Sequence, residues 1–179
     1  MSFFKHLHTV CKHRRLVRKH CFKAGLVWQG IWHDISKFSP VEFFPGVKFY
    51  QGTRSPQALE RETLGYSAAW LHHKGRNKHH FEYWTDVGRG GTPVSVQMPP
   101  KYLAEMVCDR IAASKVYRGN DYTDSDPLAY FSGRNDETVM HPKTAAQLKY
   151  FLGLLAEKGE RIMFSELKKF VKESRRNKN

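Results

Sequence analysis

No apolar stretch in this sequence approaches the roughly 20 residues that a bilayer-spanning helix needs. The start, Met1-Ser2-Phe3-Phe4-Lys5-His6, is soon interrupted by basic residues and histidines, unlike a signal peptide or membrane anchor. A cytoplasmic protein with no membrane partner is the expectation. Cysteine is scarce as well. Cys11, Cys21 and Cys108 are odd in number and lack CxxC spacing, which argues against a disulfide framework or a zinc ribbon. Cys108 reads as a core thiol. There is no Gly-rich phosphate loop of the P-loop or Rossmann kind, no internal repeat, no low-complexity linker and no convincing run of alternating strands. Acidic residues are few: 17 Asp and Glu stand against 30 Lys and Arg, a net charge of +13. A field of that sign favours anionic partners such as a nucleotide, a phosphorylated metabolite or nucleic acid. Part of the excess lies in Lys168-Lys169 and Arg175-Arg176-Asn177-Lys178, a run that reads as a solvated end.

What is present is helical period and capping chemistry in a 179-residue chain that is 40% hydrophobic, enough for one packed domain. Phe4, Leu7, Val10, Cys11, Val17 and Cys21 recur near a helical period over residues 3–23, and Gly25 ends the helix. A second apolar helix spans about 26–35, with Leu26, Val27, Trp28, Ile31 and Trp32. Ser39-Pro40-Val41-Glu42 reads as a capping box opening a short helix that Pro45-Gly46 stops. Residues 47–54 are a loop. Ser55-Pro56 opens a helix to about residue 74, and Pro99-Pro100 another over 101–117. Residues 86–97 read as a flexible loop and 119–126 as turns. Pro142 starts a helix to about residue 159, and residues 164–173 form the last. The reading is an all-α single-domain bundle over 1–179, its core at about 12–159 and a basic C-terminal helix and tail at 164–179.

Histidine is abundant and clustered, with ten residues in the chain. His33-Asp34 closes the second helix, while His72-His73 and His79-His80 flank Lys74-Gly75-Arg76-Asn77-Lys78. Imidazole and carboxylate suit zinc, manganese and ferrous iron. A lone His or HD dipeptide is more often structural. A basic, His-rich loop could equally be an anion-binding surface. Here four separate helical segments each offer a candidate: His13, His33-Asp34, the 72–80 loop and Asp109.

Taken in chain order, these residues resemble the HD superfamily of metal-dependent phosphohydrolases. That pattern has a first His, an HD dipeptide, sometimes two further His, and a final Asp. The strings HDISKFSPVEF, GYSAAWLHHKGRNKHHFEYW and MPPKYLAEMVCDRIAASKVYRG further resemble a bacterial and phage family of unknown function grouped with HD domains. The likeness runs from about Lys12 to Gly159. It implies a helical HD-type bundle with metal ligands at His13, His33, Asp34, His73, His79, His80 and Asp109. His13 is preferred to His20, two turns on along the same face, although the interval from His13 to His33 is shorter than is usual in the superfamily. His72 reads as helix surface, since adjacent helical side chains diverge by about 100°.

One or two divalent ions are implied, of a kind the ligands do not single out among Fe, Mn, Zn and Mg. Such an ion generates hydroxide near neutral pH and polarises a phosphoryl oxygen. Asp34 is expected to bridge ions or orient the water. Lys37 resembles the lysine that contacts substrate phosphate, with a solvent-facing lysine as the alternative. Arg76, Arg110 and Lys115 are further candidates for meeting the anion. Phe43, Phe44, Phe81, Tyr83 and Trp84 read as core or pocket wall, and Asn77 as a loop brace. The expected activity is hydrolysis of a phosphorylated small molecule or nucleotide. Its rivals are a non-enzymatic nucleic-acid-binding protein and a metal-binding domain without catalysis.

Overall fold

The long helix α1, Ser2–Lys23, turns its Val10, Val17 and Cys21 side inward. It ends where Gly25 takes a φ of 75°, and the N–H of Leu26 returns to the carbonyl of Cys21. That left-handed stop is open to glycine because it has no Cβ. The computed structural model describes residues 2–176, so Met1 and the Asn177-Lys178 part of the basic tail lie outside the described residues.

The centre of the bundle is α6, Pro100–Arg118, which starts at a proline and buries Leu103, Met106, Val107, Cys108, Ile111 and Ala112. Burial on so many sides is what a helix flanked by others shows. Helices α1 and α9 (Pro142–Arg176) pack on it. One continuous hydrophobic cluster runs from Val17 to Val171. The core therefore extends past residue 159: Met163, Phe164, Leu167 and Val171 belong to it. The expected pair of C-terminal helices is present as two helical segments that meet at a kink at Gly159 (φ 74°, ψ 172°). Cys21 and Cys108 are buried free thiols and Cys11 is exposed.

Four local expectations are corrected. The second helix, α2, covers only Val27–Trp32, so His33-Asp34 lies beyond it and leads into a 3₁₀ turn at Ile35–Phe38. Helix α3 runs Pro40–Lys48 through Pro45, with the N–H of Phe49 reaching the Pro45 carbonyl at 2.9 Å. A Cβ on Gly46 would come within 2.3 Å of His6 Nε2, so that glycine serves close packing against α1 and does not end the helix. The expected 56–74 helix is two, α4 (Pro56–Leu64) and α5 (Ala68–Lys74). Gly65, at φ 79°, closes the first, and Ser67 Oγ caps the second by accepting the Trp70 N–H at 3.0 Å. The glycine-rich 86–97 stretch holds a small antiparallel hairpin, β1 (Thr85–Val87) against β2 (Pro93–Ser95). Two short helices absent from the sequence reading, α7 (Asp126–Ser132) and α8 (Asp136–Val139), complete the all-α domain. Among the described residues no helix is long and apolar enough to cross a membrane.

Candidate metal centre

Asp34 is the only described non-glycine residue with positive φ, at 51°. Asp tolerates the left-handed region better than most residues, but a residue held there is worth a functional question. The turn ends α2 and swings the carboxylate inward, where Asp34 is buried to 1% exposure beside His33. Arg14 supports the turn from α1 by donating to the carbonyls of His33 (2.9 Å) and Ile31 (3.3 Å).

The two oxygens of Asp34 face different partners. Oδ2 lies 3.4 Å from His33 Nε2 and 3.8 Å from His13 Nε2. Asp109 Oδ1 closes that group, 2.9 Å from His13 Nε2 and 3.5 Å from His33 Nε2. Oδ1 of Asp34 instead lies 3.3 Å from His73 Nε2 and 3.4 Å from His79 Nε2. His80 joins this second group, its Nε2 2.9 Å from that of His73. Within each group the candidate ligand atoms lie within 4.8 Å of one another. All seven residues expected as ligands thus converge, from α1, the α2 turn, α5, the 72–80 loop and α6.

The donor set fits divalent ions on three counts. It consists of imidazole nitrogens and carboxylate oxygens. Ligand atoms bonded about 2.1 Å from one ion stand roughly 3.0–3.4 Å from each other, close to the spacings found. Above all, His33 Nε2, His79 Nε2 and Asp34 Oδ1 are buried without a hydrogen-bond partner. Buried polar atoms seldom go unpartnered, and these three point into the cluster.

Two glutamates hold the imidazoles. His33 Nδ1 donates to Glu105 Oε1 at 2.9 Å, and His79 Nδ1 stands 3.2 Å from the same oxygen. His73 Nδ1 donates to Glu42 Oε2 at 2.7 Å, and His72 Nδ1 to Glu42 Oε1 at 2.7 Å. The bonds to His33 and His73 leave Nε2 with its lone pair toward the cluster, an arrangement that carboxylates commonly impose on metal-binding histidines. Glu105, His33 and His79 could also hold an ion among themselves. The orphaned Nε2 atoms favour Glu105 as the partner of Nδ1. Glu42 was expected to close a capping box, but Ser39 makes no side-chain cap. Its carboxylate turns inward and also takes His72 off the solvent face to which the sequence assigned it. Asn77 braces the loop, donating to Ser36 Oγ at 2.9 Å and to the His73 carbonyl at 2.8 Å.

The charges are strongly coupled. Burial pushes the Asp34 carboxyl up, but His33, Lys37, His73 and His79 outweigh it and hold it well below the usual carboxylate range. Asp109 behaves alike: burial opposes ionisation, and His13 and His33 overcome it. Burial lowers the His33 imidazole, yet Asp34, Asp109 and Glu105 raise it well above its ordinary value. Burial pushes His80 well down, helped by His79 and His73. A metal must displace any proton on its ligands, so affinity for an ion here falls in acid.

The cation candidates separate. Lys37 Nζ sits in the cluster, 3.3 Å from Asp34 Oδ2 and 3.4 Å from His73 Nε2, with its side chain 21% exposed. Arg110 lines the same cleft of about 620 Å³ as His13, Asp34, His80 and Asp109. Its Nη2 donates to Asp136 Oδ2 at 3.0 Å, and its buried Nη1 has no partner. Lys115 is engaged elsewhere, paired with Glu160, and lines neither this cleft nor the other large one. Arg76 reaches the His72 carbonyl at 3.4 Å and lines the other cleft. His20 is also outside the cluster: it is buried against Phe164, with Nδ1 3.3 Å from the Cys108 carbonyl. Of the aromatics, Phe43 is buried and Phe81 packs on the core and lines the cleft, whereas Phe44 is 61% exposed.

The chain belongs to the Family of unknown function (DUF5662), whose model matches residues 2–154. No curated protein and no solved structure matches it.

Proposed function

We propose that this member of the DUF5662 family is a metal-dependent phosphohydrolase that acts on a phosphorylated small molecule or a nucleotide. One observation carries the reading: Asp34 stands between two groups of ligand atoms, with Oδ2 toward His13, His33 and Asp109 and Oδ1 toward His73 and His79. The residues of each group would hold one divalent ion, with Asp34 contributing an oxygen to both groups. The order of the ligands along the chain supports kinship with the HD superfamily.

Divalent ions held there supply a water acidic enough to ionise near neutral pH and a Lewis acid for a phosphoryl oxygen. The residues of the chain do the rest. Glu42 and Glu105 fix the imidazoles that hold the ions. Asp34 would accept a hydrogen bond from the attacking water and orient it. Lys37 and Arg110 stand at the cleft wall, where negative charge develops during phosphoryl transfer. The Nη1 of Arg110 is buried at the cleft wall and has no partner among the described residues.

The reading is tested on protein purified without a histidine tag. Metal content is measured first, and then a panel of nucleotides and phosphorylated metabolites is assayed with Mn, Fe, Zn and Mg. The expected result is up to two ions per chain and a hydrolytic rate that chelation abolishes. Protein that takes up no metal and releases no phosphate from any of the panel refutes it.

A further inference from the structure

A second cleft, of about 680 Å³, opens on the far side of the same histidines and shares no lining residue with the cleft over the metal centre. His33, His79 and Glu105 form its inner wall. We propose that this cleft is a binding groove for single-stranded RNA.

The aromatic content comes first. Trp28 and Trp32 are four residues apart on α2, so they share one face. The period of that helix predicts an apolar side for the core, yet Trp28 is 71% and Trp32 62% exposed, and both line the cleft. Tyr102, at the start of α6, lines the same cleft but is half-buried against the core, so the solvent-facing rings are those of Trp28 and Trp32. Flat rings in solvent along a groove are the platforms on which unpaired bases stack without regard to sequence.

The charge is complementary to a phosphodiester chain. Arg76, Lys78, Lys101 and Arg175 border the cleft, and none is in an ion pair among the described residues. Lys101 Nζ lies 4.6 Å from the centre of the Tyr102 ring and Lys78 Nζ 5.9 Å from it, so cations and rings interleave. Arg175 reaches across from the end of α9, donating to the Gly25 carbonyl at 3.1 Å. The one carboxylate in the lining, Glu105, is buried and already engaged by His33 and His79. An acidic peptide would match the cations but leave the exposed tryptophans unused. A strand of nucleotides uses both. Gln29 also lines the groove, offering an amide donor and acceptor of the kind a ribose 2′-hydroxyl takes, and Ser174, whose hydroxyl donates to the Val171 carbonyl, adds an acceptor.

The test is fluorescence anisotropy of labelled ten-nucleotide oligouridylate with the full chain, read beside the intrinsic tryptophan emission. Wild type should bind and its emission should be quenched. Trp28→Ala/Trp32→Ala should weaken binding at least about tenfold and remove most of the quenching. Both side chains are largely exposed, so this variant should keep its melting temperature. Four phosphate contacts predict a slope of about −3 in log K against log salt, reduced to about −1.4 in Lys78→Ala/Lys101→Ala. Lys5→Ala/Lys158→Ala removes equal charge from positions lining neither cleft and should bind as wild type. Oligodeoxyuridylate should bind several-fold more weakly. Asp34→Ala should bind RNA normally, so a failed hydrolase assay leaves this result standing on its own. The proposal is overturned if oligouridylate does not bind, if the tryptophan variant binds as wild type, or if both lysine pairs cost the same. Equal affinity for oligodeoxyuridylate, or tighter binding to anionic vesicles than to RNA, also overturns it.

Discussion

Lys37 Nζ stands 3.3 Å from Asp34 Oδ2, which makes this lysine part of the His/Asp cluster. Burial disfavours its charge, but Asp34 and Asp109 raise its pKa above the usual lysine value, so it is cationic throughout the neutral range. Lys37→Met should therefore keep bound metal while lowering kcat/KM on a phosphorylated substrate at least about tenfold. Loss of a positive neighbour should tighten metal binding or leave it unchanged. Metal titration and steady-state kinetics on the same preparation check both. Unchanged kinetics would remove Lys37 from the phosphate site.

Glu42 and Glu105 give a prediction that needs no substrate. Each accepts from an imidazole Nδ1 and so selects the tautomer whose Nε2 faces the cluster. Gln can offer its amide nitrogen to the imidazole and favour the wrong tautomer. Glu42→Gln and Glu105→Gln should each weaken metal binding about 10- to 100-fold, with helical content retained by circular dichroism. Glu105→Gln should have the larger effect, because its carboxylate contacts both His33 and His79. Metal affinity equal to wild type in both variants would show that the glutamates serve the fold alone.

The sequence made the helices and the histidines legible because both depend on local signals. Proline starts, such as Pro40, Pro56 and Pro100, open helices as predicted. The misjudged boundaries depend on tertiary contact: Gly46 lies against His6, and Gly65 could be read either as a tolerated helix residue or as a stop. The hairpin at 85–95 is too short for alternation to show. In the site, spacing revealed the ligands but not their supports. Glu105 lies one turn before Asp109, and nothing local marks it as a partner for imidazoles. Glu42 sat in a capping pattern that explained it fully in local terms. Pairing either with an imidazole 31 or 72 residues away needs the fold. Lys115 and Arg76 failed as cluster cations for the same reason, since charge near a ligand in sequence says nothing of which side of the helix it leaves.

Acid should weaken the fold in two stages. Burial lowers His6 and His20 from 6.5 to about 4. The unfolded chain then takes up protons first as pH falls below 6.5, so the stability these residues contribute is complete above that pH and is lost on the way to about 4. The scale is on the order of 3 kcal/mol for each imidazole. Glu160 is lowered to about 2, burial opposing and Lys115 and Lys23 prevailing, so its contribution is lost between 4.5 and about 2. Urea unfolding at pH 7.5, 6, 5 and 4 measures the first stage. His20→Gln can still donate to the Cys108 carbonyl but does not titrate, and its loss over that range should be smaller by roughly one imidazole's share. Parallel pH curves for wild type and variant would contradict the burial argument for His20.

Asp34 joins strain to metal binding, and two substitutions separate them. Asp34→Ala removes both oxygens, and each group of ligands loses a member. Metal content should fall from its wild-type value to near zero, and hydrolysis at least about a hundredfold with it. Asp109→Ala takes a ligand from the His13–His33 group alone, and His73→Ala from the His73–His80 group alone. Each of those should lose one ion and keep the other. Asp34→Gly should lose metal as the alanine variant does. At φ 51° glycine fits without a Cβ penalty, whereas alanine bears one of about 1 kcal/mol. In metal-free protein the glycine variant should therefore melt about 1–2 °C higher than the alanine variant, because glycine's extra chain entropy offsets part of that penalty. The measurements are metal stoichiometry by mass spectrometry and melting temperature with chelator present. If Asp34→Ala keeps full metal, the shared-carboxylate reading falls. If Asp109→Ala and Asp34→Ala lose the same amount, the two groups act as one site.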